Sequence, residues 1–450
     1  MDNRKTVLPS GLCVVSERMA DRHSVAVGVW LRNGARDEPA ERLGISHFIE
    51  HMMFKGTTTR DARAIAWSLE SLGGHLDAFT GREQVCYYAR ALSEHLPQAV
   101  EVLADIVCRS AFAPVEVTRE KNVVREEICA AEDNPDDRVG EMLAAQVWGD
   151  HGLGRPILGT LQTLDALTPD MLRDYFGSRY RAENIVVAAA GGLEHDALVG
   201  LVAAHFQLPD AAALPLSPPP PAYTPNVAIE TREDLQQLYL SLGTRAVSIG
   251  DPGRYPLAVL SALLGGGMSS RLFQSVREEA GLAYSIYSTT EFHRDSGMLG
   301  IHLGVAPERG REALALVRRE LERLVAEGAP EDEVAAAKAQ LRGGMVMSQE
   351  GVTSRMNHIA GEEIYHGRYT TPLEHVAMIE RVTIGDVAAA ARRFLAPGAY
   401  TLSALGPRVA TGVDETDWAL APHAPSPSPA NGMPAPEPVA APRVRPRRVT

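Results

Sequence analysis

The chain has 450 residues, 45% of them apolar and 22% charged, with a net charge of −13. That is the composition of an ordinary globular protein, long enough to bury its cores without staples, and the acidic balance argues against a nucleic-acid binder. No run approaches the ~18 apolar residues of a membrane-spanning helix, and Cys13, Cys86, Cys108 and Cys129 include no C-x-x-C pair. They read as buried reduced thiols, and with no leader-like segment before Gly11 the cytoplasm is the expected compartment.

Taken in order, Gly11 to Val15 and Val25 to Leu31 read as strands, the second followed by the turn Asn33-Gly34. Residues 44–57 read as a helix in which Ile45, Phe48, Ile49, Met52 and Met53 cover most of the circumference. A second helix is expected over Asp61 to Leu72, then strands over His75 to Thr80 and Gln84 to Ala91, joined by Gly81-Arg82. Glu94 to Arg109 and Pro114 to Glu132 read as long helices. A Gly/Pro-rich loop from Asp150 to Thr160 precedes a helix at Pro169 to Tyr180, a strand at Ile185 to Ala190 and a helix at His195 to Phe206.

Leu208 to Pro225 carries seven prolines and no helical or strand period, a semi-rigid linker. Beyond it the order recurs: a strand at Leu238 to Leu242, a helix at Pro256 to Leu264, strands at Leu282 to Thr290 and Met298 to Val305, then helices over Glu308 to Glu327 and Pro330 to Gln349. The closing units, Leu167-Thr168-Pro169-Asp170 with its helix and strand and Val382-Thr383-Ile384-Gly385-Asp386 with its own, repeat at an offset of about 215 residues. The expected fold class is therefore α+β, two homologous α/β domains (residues 1–207 and 226–410) joined by a Pro-rich linker (208–225). Residues 411–450, Pro/Ala-rich and ending in a basic stretch, read as a disordered, solvated tail.

One polar stripe interrupts the apolar helix at 44–57. His47, Glu50 and His51 stand at i, i+3, i+4 and project together. Buried and unpaired they would cost several kcal/mol, about enough to demand a partner. Two histidines four apart can hold one Zn²⁺, and the Glu between them reaches a metal-bound water rather than the metal. The second half has Ala258-Val259-Leu260-Ser261-Ala262 at the corresponding place, so only the first half can hold this ion. A third ligand is needed. On the helix from Pro114, Glu120 and Glu127 differ by about 20° on a wheel and share a face with Val123, Val124 and Ile128. Such carboxylates need a cation, either a metal or an Arg such as Arg125.

The order H-x-x-E-H inverts the H-E-x-x-H zinc helix and marks the inverted zincins. With Phe54-Lys55-Gly56-Thr57 after it, the segment resembles the catalytic helix of the M16B metallopeptidases, the mitochondrial-processing-peptidase-like group, whose fold is of the LuxS/M16 metallopeptidase type. The resemblance spans roughly residues 5 to 410. It implies one Zn²⁺ per chain on His47, His51 and Glu127, the last in Glu120-Lys121-Asn122-Val123-Val124-Arg125-Glu126-Glu127-Ile128, 76 residues after His51 as in that family. It makes Glu50 the catalytic base and Glu120 the carboxylate that orients a ligating histidine.

Leu72-Gly73-Gly74-His75-Leu76-Asp77-Ala78-Phe79-Thr80 resembles the family's substrate-pairing edge strand, with Asp77 where Asn is usual, which implies that Ala78 and Phe79 contact a peptide by β-augmentation. Arg277 and Tyr284, seven residues apart, resemble the pair that holds the substrate backbone. The glycine-rich Gly265-Gly266-Gly267-Met268-Ser269-Ser270 lacks the Gly-Lys-Ser/Thr of a phosphate loop, which excludes nucleotide binding there. The implied function is a zinc endopeptidase acting on extended or presequence-like peptides, as a homodimer whose zinc site is completed by Arg277 and Tyr284 of the other chain. The rivals are a non-catalytic M16-like scaffold and a peptide-binding subunit that needs a separate catalytic chain. Neither nucleic acid nor membrane is an expected partner.

Overall fold

The structure, a computed structural model, describes residues 2–208, 215–396 and 398–407. The tail at 411–450 and part of the proline-rich linker, 209–214, lie outside the described residues. The strands are β1 (Asp2–Val7), β2 (Cys13–Arg18), β3 (Ser24–Leu31), β4 (His75–Thr80), β5 (Val85–Leu92), β6 (Ile185–Gly191), β7 (Val227–Thr231), β8 (Leu238–Ala246), β9 (Ala283–Phe292), β10 (Gly297–Val305) and β11 (Thr401–Gly406). They form a six-stranded sheet in the order β1-β2-β6-β3-β5-β4 and a five-stranded sheet in the order β7-β11-β8-β10-β9.

The two sheets are one plan used twice. β2 pairs with β6 in parallel, as β7 does with β11, and every other neighbour in either sheet is antiparallel. The internal duplication expected from the closing units is thus present in the strand order itself. β1 is the addition, a polar strand paired along its length with β2.

In the first half the helices are α1 (Ile45–Met53), α2 (Ala62–Glu70), α3 (Leu96–Arg109), α4 (Pro114–Asp133), α5 (Pro135–Trp148), α6 (Leu161–Ala166), α7 (Pro169–Arg179) and α8 (His195–His205). The second half has α9 (Arg254–Gly265), a helical turn at Phe273–Glu279, then α10 (Gly310–Glu327), α11 (Glu331–Ser348), α12 (Val352–His366), α13 (Pro372–Arg381) and α14 (Ile384–Phe394). α5, α6, α12 and α13 are additional to the sequence expectation, as are β1 and β7.

Two of these helices change how the halves are joined. α12, from the second half, lies on the first sheet: Val352, Met356, Ile359 and Ala360 share a core with Val15, Ala26, Trp30, Val186 and Ala188. Ion pairs fix it there, Glu363 to Lys5 at 2.7 Å and to Arg32 at 3.2 Å. Reciprocally, α5 crosses to the second sheet, where Leu143, Ala144 and Val147 pack with Met298 and Arg138 pairs with Glu230. The halves therefore exchange a helix each. A boundary drawn only at the linker assigns α5 and α12 by sequence and not by the core each helps to bury.

Candidate metal centre

α1 is positioned by burial and by its first turn. Ile45, Phe48, Ile49, Met52 and Met53 are each at most 1% exposed, and each contributes about 1.5–3 kcal/mol through the surface it removes from water. Gly44 begins the helix at φ 82°, and a Cβ there would sit 2.4 Å from the Leu158 carbonyl oxygen, so only glycine fits. With no side chain of its own to cap the turn, the helix borrows one. The buried Glu38 carboxylate accepts from the Gly44 and Ser46 amides at 2.7 and 2.8 Å. Burial nonetheless pushes the Glu38 carboxyl up, to about 7.

The polar stripe of α1 faces α4, and the expected residues meet. His47 Nε2 stands 3.6 Å from Glu127 Oε1, and His51 Nε2 stands 3.4 Å from Glu127 Oε2. One donor atom from each of His47, His51 and Glu127 lies within 4.8 Å of the others. These gaps are long for hydrogen bonds. They match a tetrahedral zinc, whose ligand atoms, bonded at about 2.0–2.2 Å, stand about 3.3–3.5 Å apart. The donor set of two imidazoles and a carboxylate suits that ion.

Glu120 stands behind the site. His51 Nδ1–H donates to its Oε1 at 2.8 Å, and the Lys55 ammonium donates to its Oε2 at 2.7 Å. Burial works to raise the Glu120 carboxyl, but these two partners outweigh it and leave it below the usual carboxylate range. With its proton kept on Nδ1, His51 turns a bare Nε2 toward Glu127. Burial works to lower the His51 imidazole, but Glu120 and then Glu127 raise it on balance. Glu127 is lowered chiefly by His47 beside it. His47 Nδ1 is buried without a hydrogen-bond partner among the described residues, so packing alone orients that ring.

Glu50 points beside the triad, and its carboxylate accepts a hydrogen bond from the Thr80 hydroxyl at the end of β4. Burial lifts the Glu50 carboxyl above its ordinary value, with Thr80 and the two histidines pulling the other way. β4 is the outermost strand of its sheet. Ala78, Phe79 and Thr80 line a cleft of about 580 Å³ together with His47, Glu50 and Glu127. Its far wall comes from α5 and the second sheet, with Asp136, Asp137, Glu141, Glu291 and His302. Arg82 also lines it, with one guanidinium nitrogen held by the Leu153 and Arg155 carbonyls at 2.6 and 2.9 Å.

Asp77 is occupied locally, accepting from the Ala78 amide at 2.8 Å and the Tyr88 hydroxyl at 3.1 Å. Arg277 and Tyr284 meet each other, the guanidinium 5.3 Å from the ring centroid, but neither lines the cleft of its own chain, and Tyr284 is 81% exposed. The sequence alone assigns no individual role to Thr80, Lys55, Arg82 or His302. Thr80 and Lys55 sit inside the motifs that point to the site, yet their partners, Glu50 and Glu120, are fixed only by packing.

Comparison with known proteins agrees with this architecture. Residues 13–161 match the insulinase model of peptidase family M16, and residues 166–341 match the model described as the peptidase M16 inactive domain. An uncharacterized zinc protease of Mycobacterium bovis is 40% identical over 409 residues, covering 90% of this chain and 93% of its own. One of Bacillus subtilis is 37% identical over 398 residues, covering 88% and 97%. Among solved structures, a peptidase M16 inactive domain from Pseudomonas fluorescens superposes with a TM-score of 0.85 at 20% identity, over 90% of this chain and 98% of its own. A protease from Helicobacter pylori does so at 0.83 and 20%, over 90% and 99%. With both halves matched and two-fifths identity across nine-tenths of its length, the chain belongs to peptidase family M16.

Proposed function

We propose that this chain is a zinc-dependent endopeptidase acting on extended peptides. The observation that carries the reading is the pair of histidine Nε2 atoms facing the two oxygens of Glu127, with Glu50 beside them and an edge strand alongside. His47, His51 and Glu127 would hold one zinc. When bound, the ion polarises a peptide carbonyl and lowers the pKa of a water to about 7. Glu50 accepts the proton of the attacking water and passes it to the leaving amine, and its hydrogen bond from Thr80 fixes the carboxylate for both steps. Glu120 acts through His51, holding its tautomer, and Lys55 holds Glu120.

A peptide added to β4 would be bound by main-chain hydrogen bonds, with Ala78 and Phe79 against its side chains and little sequence demand. The far wall supplies preference. Asp136, Asp137, Glu141 and Glu291, against Arg82 as the one Arg or Lys among the described residues lining the cleft, favour basic, presequence-like segments. Arg277 and Tyr284, stacked together outside this cleft, fit a homodimer in which each chain completes its partner's site.

The test is cleavage of a quenched basic peptide. Activity should vanish with a chelator and return with zinc, and Glu50→Gln should keep the metal while losing turnover by about 10²–10⁴-fold. Zinc-independent cleavage, or loss of metal in Glu50→Gln, would defeat the proposal.

A further inference from the structure

A second set of donors stands apart from the cleft, on α12 and α13. His358 and Glu362 lie one turn apart on α12, and His375 comes from α13. One ligand atom from each lies within 4.8 Å of the others. Glu362 and His375 are buried and His358 half-buried. It is the same donor set as His47, His51 and Glu127, two imidazoles and a carboxylate.

What distinguishes this set from a chance cluster is how its remaining atoms are held. His375 Nδ1 is bonded to the Tyr255 hydroxyl at 2.9 Å. Glu362 Oε2 accepts the Thr370 amide at 3.0 Å, and His358 Nε2–H donates to the Thr370 carbonyl at 2.9 Å. Each partner engages one atom of a ring or carboxylate and leaves its second atom over, the arrangement that orients metal ligands. A metal would take the atoms these bonds leave over, His375 Nε2, Glu362 Oε1 and His358 Nδ1. His375 Nε2–H donates to Glu362 Oε1 at 3.0 Å, so a tetrahedral ion would displace that proton and open the gap by about 0.3–0.5 Å. His366 also approaches, its Nε2 3.9 Å from Glu362 Oε1. Arg254 donates to that same nitrogen at 3.4 Å, so His366 is not counted as a ligand and the fourth position is left to water.

We propose that His358, Glu362 and His375 form a second divalent transition-metal site, distinct from the cleft, that ties α12 to α13. Two imidazoles exclude calcium and magnesium and select zinc, cobalt or nickel. Because α12 is the helix lent to the first sheet, the ion would anchor the exchanged element to its own half. It would act on stability rather than on chemistry.

The experiment counts zinc in a chain that cannot bind it in the cleft. After equilibration with excess zinc and gel filtration, the full chain carrying His47→Ala and His51→Ala should retain about one zinc, and its thermal midpoint should rise with zinc. Adding His375→Gln, which keeps hydrogen-bonding atoms near Tyr255 and Glu362 but removes the imidazole, should abolish both. Cobalt should show four-coordinate visible bands in the first protein and lose them in the second. Two outcomes overturn the proposal: a folded His47→Ala, His51→Ala chain that retains no zinc, which makes the cluster a hydrogen-bond network only, or zinc retention unaffected by His375→Gln. Neither bears on the cleft, whose zinc is counted separately in the His375→Gln chain with His47 and His51 intact.

Discussion

Glu120→Gln isolates the contribution of a residue proposed to touch neither metal nor substrate. The glutamate is 3% exposed and fits between His51 Nδ1 at 2.8 Å and the Lys55 ammonium at 2.7 Å, so the isosteric amide fills the same space. It cannot serve both partners. One end of the amide is an acceptor and the other a donor, while His51 Nδ1–H and Lys55 both donate. If the oxygen turns to His51, the NH₂ faces an ammonium. If it turns to Lys55, His51 must move its proton to Nε2, the atom needed for zinc. Either way a charge-assisted bond is lost at a ligand's back, and zinc affinity should fall about 10- to 100-fold, roughly 1.4–2.7 kcal/mol. Competition against a chelator of known affinity measures this directly. Lys55→Met combined with Glu120→Gln should cost less than the sum of the two, because the unpaired ammonium is gone. A zinc affinity within about twofold of wild type, with normal thermal stability, would refute the orienting role.

Glu38 predicts a pH effect on folding. Burial raises its carboxyl to about 7 in the fold, against the 4.5 of a free glutamate. The unfolded chain therefore ionises it first, and the stability it contributes below about pH 4.5 is lost as pH rises through 7, by at most about 3 kcal/mol. In urea titrations Glu38→Gln should flatten this decline between about pH 5 and 8, and a wild-type slope unchanged by the substitution would remove Glu38 as its source. The composite dimer is tested by mixing. Glu50→Gln chains and Arg277→Ala chains should each be nearly inactive alone, and co-refolding should restore one working site per mixed dimer. No recovery in mixed dimers verified by mass spectrometry would place the site within one chain.

The site was legible because α1 leaves so little room for polarity. Among residues otherwise at most 2% exposed, His47, Glu50 and His51 form one stripe, and the wheel alone put Glu120 and Glu127 on a common face. What packing decides was not legible. Nothing in Thr80 announces Glu50 thirty residues away, and nothing in Lys55 announces Glu120. β1, Asp2–Val7, has no alternating apolar face, since main-chain pairing with β2 holds it rather than burial. α5 and α12 carry regular apolar positions, Val139, Leu143, Ala144 and Val147 in one, Val352, Met356, Ile359 and Ala360 in the other. A period says that a helix has a buried face but not which sheet it covers, so the exchange between halves appears only in three dimensions.

The proposed function requires that His47, His51 and Glu127, and not Glu50, hold a catalytic zinc. Anomalous diffraction at the zinc edge, from crystals of the Glu50→Gln protein grown with zinc, tests it most directly. A strong peak is expected about 2.0–2.2 Å from Nε2 of both histidines and from a Glu127 oxygen, with the residue 50 side chain outside bonding distance. No peak between those three side chains, or a peak that excludes Glu127, would contradict it.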